Sequence, residues 1–564
     1  MSSKIAPVAA LCLAALCLGA PAAAQDRQAG MQKGNQGKNE PQQGRTSGGS
    51  PVQVAPYIEA SQLLVVQFSP EDDVVTYTQI AAGVDAAITG RNNGGSVSVR
   101  YERNIAYGDN AAGSDTLSGV ARGYATIIPR ALTVEAGALA ARSTLNGNGA
   151  ASLTPIGAAI GAQDNSSQIY SVFAGPNLHA AAGDVELNAN YRIGYTRVET
   201  DNALITPNGV RPIDIFDDST VQVANFHAAT HPGQPLPVGL GIGGGWMQEN
   251  ISNFDQRVRD AHVRADITVP VRRSLVVVAG IGYEDVEVSS RDALLDADGF
   301  PVTGPDGRIV TDASAPRQIA YDVSGLIWDV GVVWRPSRRT TLEATVGRRY
   351  DSATYHGSFD WAPTRRSRLG VSVYDAVAGF GGQLNNALAN LPTRFSATRN
   401  SLTGDLGGCV ASSEGNACLS GALGSIRSAT FRSRGIAANY SASLGRMNAG
   451  VGAGYDRRKF IAAPGTALAA ANGVIDENYW VTFYLDGELG SSAGYSANTY
   501  ANWLRSGFNN TGDVFAIGAS AAYRRSLTGR LSARAAVAID HIDTAVSVDD
   551  ITAASALLGL RYDF

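Results

Sequence analysis

Any chemistry in this chain has to begin with its histidines, since a hydrolase needs a base and a transition-metal site commonly needs imidazole. The 564 residues hold six, at positions 179, 227, 231, 262, 356 and 541. Only His262 stands in a suggestive row, with Asp260, Arg264 and Asp266 at alternate positions beside it. In an extended strand those side chains share one face at steps of about 6–7 Å, so a carboxylate can couple to the imidazole. A protease or lipase could use that pairing, but no nucleophile pattern accompanies it. A wall of mixed charge facing water accounts for the same residues, so no catalytic residue is assigned.

Four cysteines are present, two of them, Cys12 and Cys17, near the start. The others, Cys409 and Cys418, lie in one polar stretch between Gly407-Gly408 and Ser420-Gly421, which reads as a local disulfide in an oxidising compartment. No His or further Cys is near enough in sequence to suggest a metal. Asp296-Ala297-Asp298-Gly299 and Asp306-Gly307 share fragments with a calcium loop but lack its ligand order and terminal Glu, and turns rich in Asp and Gly look alike. Gly34-Asn35-Gln36-Gly37-Lys38-Asn39 is no phosphate loop, because no Ser or Thr follows the Lys and no strand precedes it. The glycines at 239, 241, 243, 244 and 245 are followed by no helix, so they are not a nucleotide fingerprint; they would allow curvature or close approach of neighbouring groups. Neither a cofactor nor a metal is expected.

The elements that carry these residues are set by composition first. With 45 basic and 50 acidic side chains, net −5, there is no surplus of cations for a nucleic acid partner. Glycine at 64 residues and charge at 17% depart from globular usage of about 7% and 25%. Beyond the first two dozen residues no apolar run approaches the roughly 18 residues of a transmembrane helix. Residues 1–24 read as a secretory signal peptide, with Lys4, an apolar stretch around Val8 to Leu18, and Ala22-Ala23-Ala24 before Gln25. Leu16 before Cys17 argues against a lipid anchor. Residues 25–53, mostly Gln, Gly, Asn and Lys, read as a disordered periplasmic tether. Arginine dominates over lysine, which occurs only at 4, 33, 38 and 459; no function follows from that bias.

After residue 54 the signal is strict alternation. Val185, Leu187, Ala189, Tyr191, Ile193 and Tyr195 interleave with Glu186, Asn188, Asn190, Arg192, Gly194 and Thr196. Val97, Val99, Tyr101, Ile105 and Tyr107 oppose Ser98, Arg100, Glu102 and Asn104, while Leu342, Ala344, Val346 and Tyr350 oppose Glu343, Thr345, Gly347 and Arg349. Segments of about 10–14 residues match a tilted membrane crossing and are about twice a soluble strand. All six Trp (246, 328, 334, 361, 480, 503) fall in such segments, mostly near their ends, as an interfacial girdle requires. Leu558, Leu560, Tyr562 and Phe564 close the chain at spacing two, resembling the signal by which outer-membrane barrels are recognised for assembly.

Short turns are expected at 91–95, 129–131, 180–184, 231–237, 271–274, 336–340, 363–367, 445–447, 490–492 and 526–530. More variable connections, among them 142–167, 199–218, 289–320, 378–428 and 459–476, alternate with them. Ten short turns and eleven variable loops give an all-β chain: a transmembrane antiparallel β-barrel of about 22 strands (18 to 24 if hairpins are miscounted) over residues 54–564, with both termini in the periplasm. Closure satisfies every backbone polar group in lipid and leaves no edge.

Two stretches also resemble a family. Gly331-Val332-Val333-Trp334-Arg335-Pro336-Ser337-Arg338-Arg339-Thr340, Glu343, Gly347-Arg348-Arg349-Tyr350, His356-Gly357-Ser358 and Thr364-Arg365-Arg366-Ser367 are similar to outer-membrane β-barrel proteins of exopolysaccharide and PEP-CTERM sorting loci. Gly175-Pro176, Gly183-Asp184 and Tyr191-Arg192 resemble the same family's hairpins, and the likeness runs from about residue 167 to the end. These are turn and strand signatures that bring no catalytic residues. The resemblance implies a pore or scaffold linked to polysaccharide export.

The expected function is a porin-like outer-membrane channel for hydrophilic solutes or a component of exopolysaccharide export. The alternatives are an outer-membrane hydrolase using His262 and a non-conducting envelope scaffold or secretion accessory. Expected partners are outer-membrane lipid, the barrel-assembly machinery and polysaccharide-export components. The lumen-facing set is Arg100, Glu102, Arg122, Glu186, Arg192, Asp260, His262, Arg264, Asp266, Glu343, Arg349, Asp486 and Glu488. Its mixed signs predict weak ion selectivity. A bore of 22 strands needs a plug, and the loop over 378–428, stiffened by Cys409 and Cys418, is the expected one.

Overall fold

The period of two is realised as one closed sheet. The computed structural model describes residues 52–69, 72–107, 113–145, 151–152, 166–200, 214–233, 235–305, 307–412, 417–508, 512–544 and 550–564. The expected signal peptide and almost all of the tether lie outside the described residues, as does Asp306. Twenty-two long strands, from Val52–Ser69 to Ile551–Asp563, each pair antiparallel with their chain neighbours. The first strand closes on the last, in register from Tyr57 opposite Asp563 to Ser69 opposite Thr552. The fold is therefore an all-β antiparallel barrel with no free edge.

One end of the barrel carries ten short turns at the ten expected places, such as those between Ala182 and Val185 and between Leu444 and Met447. Gly183 and Gly445 open these two-residue turns at φ 63° and 68°, the left-handed backbone that a tight hairpin between twisted strands demands. The start of the first strand and the end of the last lie at this same end. The opposite end carries the longer connections, although the hairpin between Arg349 and Ser352 is also tight. Tyr350 does not continue the outward apolar row expected of it. It sits in that hairpin at φ 56°, is buried, and donates its hydroxyl to Asp260 at 2.8 Å.

Alternation sorts the side chains into an outer apolar face and an inner polar one. Ile58, Leu64, Tyr101, Tyr195, Ile242, Val263, Ile281, Leu326 and Val346 are exposed on the outside. Five Trp share that face; Trp334 and Trp361 lie near the short-turn end and Trp503 near the loop end. Trp480 breaks the girdle expectation: it is buried and faces inward, in step with Asp476 and Asn478, while Tyr479, Val481 and Phe483 face out.

The main hydrophobic core sits inside the ring. The connection between Ala378 and Phe431 enters the lumen as a helix (Phe380–Ala389), a three-stranded sheet (Ser396–Arg399, Leu406–Ala411, Ala417–Cys418) and a helical turn (Ser420–Leu423). Phe380, Leu384, Leu388, Leu406, Val410 and Ile426 pack against Val120, Leu139, Ile169, Phe173 and Val198 of the wall. At about 1.5–3 kcal/mol per buried apolar side chain, this packing favours a folded insert over a solvated loop.

Candidate functional site

The inner wall is built from strands whose polar residues pair across the sheet, and its glycines make room for the pairing. His227 and Asp266 belong to strands on either side of Gly239–Ile251, yet their side chains meet at 2.9 Å. They do so over Gly241, where a Cβ would sit 2.7 Å from the Asp266 carboxylate and 2.8 Å from His227 Nε2. A Cβ on Gly245 would likewise lie 2.5 Å from His262. The glycine row is thus a trough across which neighbouring strands reach one another. Next to it Arg264 donates to Asp266 at 2.9 Å and to Asp329 at 2.6 Å.

All thirteen residues read as lumen-facing occupy inward register positions, but they do not form one site. Arg100 pairs with Glu102 at 2.7 Å and Glu59 at 2.6 Å, and Arg534 adds a second contact to Glu59 at 3.0 Å. Arg122 meets Glu135 at 2.8 Å. Nearer the short turns Glu186 lies 3.4 Å from His179 and 3.1 Å from His231, Glu343 accepts from Arg335 at 2.8 Å, and Asp486 accepts from Asn448 at 3.1 Å. Glu488 shares the inward register of Asp486. Arg349 binds Asp260, contacts His262 Nδ1 at 3.0 Å, and pairs with Glu284 at 3.0 Å. His262 therefore belongs to a network of charge and hydrogen bonds shared with Arg349 and Asp260. Among the described residues no cluster of His, Cys, Asp and Glu has metal-holding geometry. Asp296 uses its carboxylate on the backbone N–H groups of Asp298 and Phe300, forming a turn.

What gathers the wall into a functional unit is the inserted segment. Glu249 accepts hydrogen bonds from the N–H groups of Gly379 and Gly382 at 2.7 and 2.8 Å, satisfying the open N-terminus of Phe380–Ala389 with a buried anion. Arg192 donates to Asn386, and Asn385 Nδ2 donates to the Val172 carbonyl at 3.1 Å. Two strands round the wall from Arg192, Arg142 pairs with Asp405 at 2.7 Å, both nearly buried. Arg399 donates to Ser98 and Ser118, and Arg534 donates to the Ser401 carbonyl. Gly404 holds φ 66°, and a Cβ there would lie 2.7 Å from Arg100 Cδ, so the hairpin tip fits only as glycine. Cys409 and Cys418 form a disulfide between two strands of the insert. The insert therefore spans the bore: it leaves the wall between the paired strands Ser367–Ala378 and Phe431–Leu444 and reaches Leu132–Leu145, about halfway round the ring.

Sequence reasoning placed Arg192 on the inner face but missed most of the wall's side of these contacts. Glu59, Glu249, Arg142 and Arg534 escaped because their partners are remote in sequence. Loop groups also carry shifted titrations. Burial pushes the Asp214 carboxyl up to about 6, despite hydrogen bonds from Asn253 and Ser428, and burial lowers Arg427 to about 10.

Between the insert and the wall lies a cavity of about 80 Å³ lined by Trp480, Tyr484, Tyr500, Asn498, Asn502 and Asp540 with Thr398 and Asn400 of the insert. Aromatic faces stand there beside amide and carboxylate groups.

No family model and no curated protein matches the sequence. Among solved structures the chain is similar to the apoprotein form of the FrpB iron transporter from Neisseria meningitidis, at 10% identity and a TM-score of 0.41, covering 90% of this chain and 81% of that one. The siderophore receptor PirA from Acinetobacter baumannii gives 10% identity and a TM-score of 0.38 over 90% and 80% of the two chains. The closed form of the ferric-catecholate import receptor Fiu from E. coli gives 9% and 0.41 over 90% and 81%. At these identities and scores the likeness says nothing about cargo.

Proposed function

We propose that the protein is an outer-membrane channel for hydrophilic solutes, with its short turns and both described termini on the periplasmic side and its conductance limited by the segment folded into the bore. The observation that carries this reading is a closed 22-stranded ring, apolar outside and polar inside, whose lumen is spanned by the described residues between 379 and 430. Ordinary aqueous porins of 16–18 strands are narrower, so a wider ring with an internal plug fits a channel that opens selectively or passes a larger solute.

The chemistry of the residues beside the insert favours a saccharide as that solute, and with it a role in polysaccharide export, although the cavity of about 80 Å³ admits no sugar ring until the insert moves. Trp480, Tyr484 and Tyr500 offer apolar faces, while Asn498, Asn502 and Asp540 offer donors and acceptors to hydroxyl groups. The hydrolase reading is weaker: His262 is shared with Arg349 and Asp260, and among the described residues the hydroxyl that joins them is the phenol of Tyr350, which donates to Asp260, with no Ser, Thr or Cys bonded to His262. Swelling of liposomes that contain the purified protein, in neutral oligosaccharides of rising length, tests the proposal. Uptake should be slow, should depend on solute size, and should survive His262→Ala. Hydrolysis of a saccharide or ester by the wild type, lost in that variant, would overturn it.

A further inference from the structure

The outer wall carries a charge pattern that the barrel does not need. The turn at Gly445-Arg446 fixes the register of Phe431–Leu444 on Met447–Phe460 and sets Arg432 opposite Lys459 and Arg434 opposite Arg457. All four share the outward parity of Ile436 and Val451; their alternates Ser433, Asp456 and Arg458 face the insert. The row continues from Arg457 through Glu477 to Arg505. Five cations thus crowd the loop-end rim of four neighbouring strands.

Like charges directly opposed on a sheet repel, and a barrel under no other demand would replace one of each pair. Compensation is partial. Arg432 and Arg434 share Asp375 at 2.6 and 3.1 Å, and Arg505 lies 3.6 Å from Glu477 and 3.9 Å from Asp513. Arg457 and Lys459, the barrel's one lysine, form no ion pair among the described residues. Elsewhere on the outer face, by contrast, Arg103 meets Asp115 at 2.5 Å and Arg197 meets Glu199 at 3.2 Å.

Towards the middle of the barrel the next outward row is Ile436, Tyr455, Tyr479, Trp503 and Phe515, with Tyr455 and Tyr479 ring centres 4.9 Å apart and Tyr479 and Trp503 5.8 Å apart. The row after that contains Ala438, Ala453, Val481 and Ala501. Small side chains below large rings leave an open apolar groove of about 420 Å³.

We propose that this face binds an anionic lipid, its phosphate on Arg457, Lys459 and their neighbours and an acyl chain in the groove floored by Ala438, Ala453 and Ala501. One molecule with both parts explains both features. Guanidinium and ammonium groups are suited to phosphate, aromatic rings belong at the headgroup boundary, and an anion removes the repulsion between the opposed cations. The inference rests on the membrane-barrel reading above.

The test is native mass spectrometry of the full-length protein in nonionic detergent, with phosphatidylglycerol, phosphatidylcholine of the same chains, and inorganic phosphate as separate probes. Wild type should retain phosphatidylglycerol about tenfold better than phosphatidylcholine. Arg457→Gln with Lys459→Gln should remove that preference, and Arg103→Gln should not. Ala453→Leu with Ala501→Leu should weaken retention while the cations remain. Folding of each variant is checked by faster gel migration unheated than boiled, and phosphatidylglycerol should raise the melting temperature of wild type but not of the Arg457/Lys459 double variant. Equal retention of both lipids would reduce the site to an apolar groove, and full competition by phosphate alone would reduce it to an ion site; either overturns the proposal with the barrel intact. A chain that stays dissolved without detergent would refute the barrel reading itself.

Discussion

Removing Arg142 should undock the insert more than removing its partner Asp405. The two side chains meet at 2.7 Å with 10% and 5% exposure, and Arg142 also donates to Thr116 at 3.0 Å. Breaking a buried pair by deleting one member costs about 3–5 kcal/mol, because the survivor is left charged without compensation. In Arg142→Gln the survivor is Asp405, which lies close enough to Glu102 for the two carboxylates to repel. In Asp405→Asn the survivor is Arg142, which keeps Thr116 and the attraction of Glu102. At 1.4 kcal/mol per tenfold, about 3 kcal/mol multiplies the undocked population roughly 150-fold, so Arg142→Gln should reach or exceed that factor and Asp405→Asn should fall short. Hydrogen exchange of the backbone amides in Leu406–Ala411 reads this population, with channel opening frequency as a second readout. Equal exchange in wild type and both variants would refute the claim that this pair holds the insert in the bore.

Gly245→Val should cost folded barrel yield, since even a Cβ would lie 2.5 Å from His262 and 2.8 Å from Asn225; gel migration of unheated samples measures the folded fraction. Acidification should tighten the loops around Asp214. Its carboxyl titrates near 6 in the fold against 3.8 ordinarily, so the folded chain binds the proton more strongly between those values. Stability there rises as pH falls from 7 to 4 and is lost as pH rises through 6. The effect is at most on the order of 2–3 kcal/mol, and Asp214→Asn should abolish it in a pH series of melting temperatures. Replacing Cys409 and Cys418 by Ser should speed exchange within the insert by removing a cross-link worth about 2–3 kcal/mol, without changing the unheated migration of the barrel.

Most of the wall is legible in the residues. A period of two, turn chemistry such as Gly183-Asp184 and Gly445-Arg446, and the length of the amphipathic runs suffice for the strand number, because a lipid-facing sheet forces each residue to choose a side. The same parity rule would have turned Trp480 inward, had Tyr479, Val481 and Phe483 been weighed together. The opposed cations at 432, 434, 457 and 459 follow from the turn alone once it is used to count register. The insert is legible only as a long connection. Phe380–Ala389 contains two glycines and three amide side chains and owes its helix to wall contacts such as Glu249 rather than to propensity. Its anchoring residues are separated from their partners by up to hundreds of positions, a relation that no local spacing records.

The conductance of the barrel depends on whether the segment between Ala378 and Phe431 closes the bore. Single-channel recording in planar bilayers compares wild type with a chain lacking residues 386–423, each first shown to form a heat-modifiable barrel. Small or rare openings in wild type and large, steady conductance in the deletion are expected, since removing that segment empties a lumen wider than that of 16- to 18-stranded porins. Equal conductance in the two would contradict the account and leave wall side chains or a separate partner as the plug.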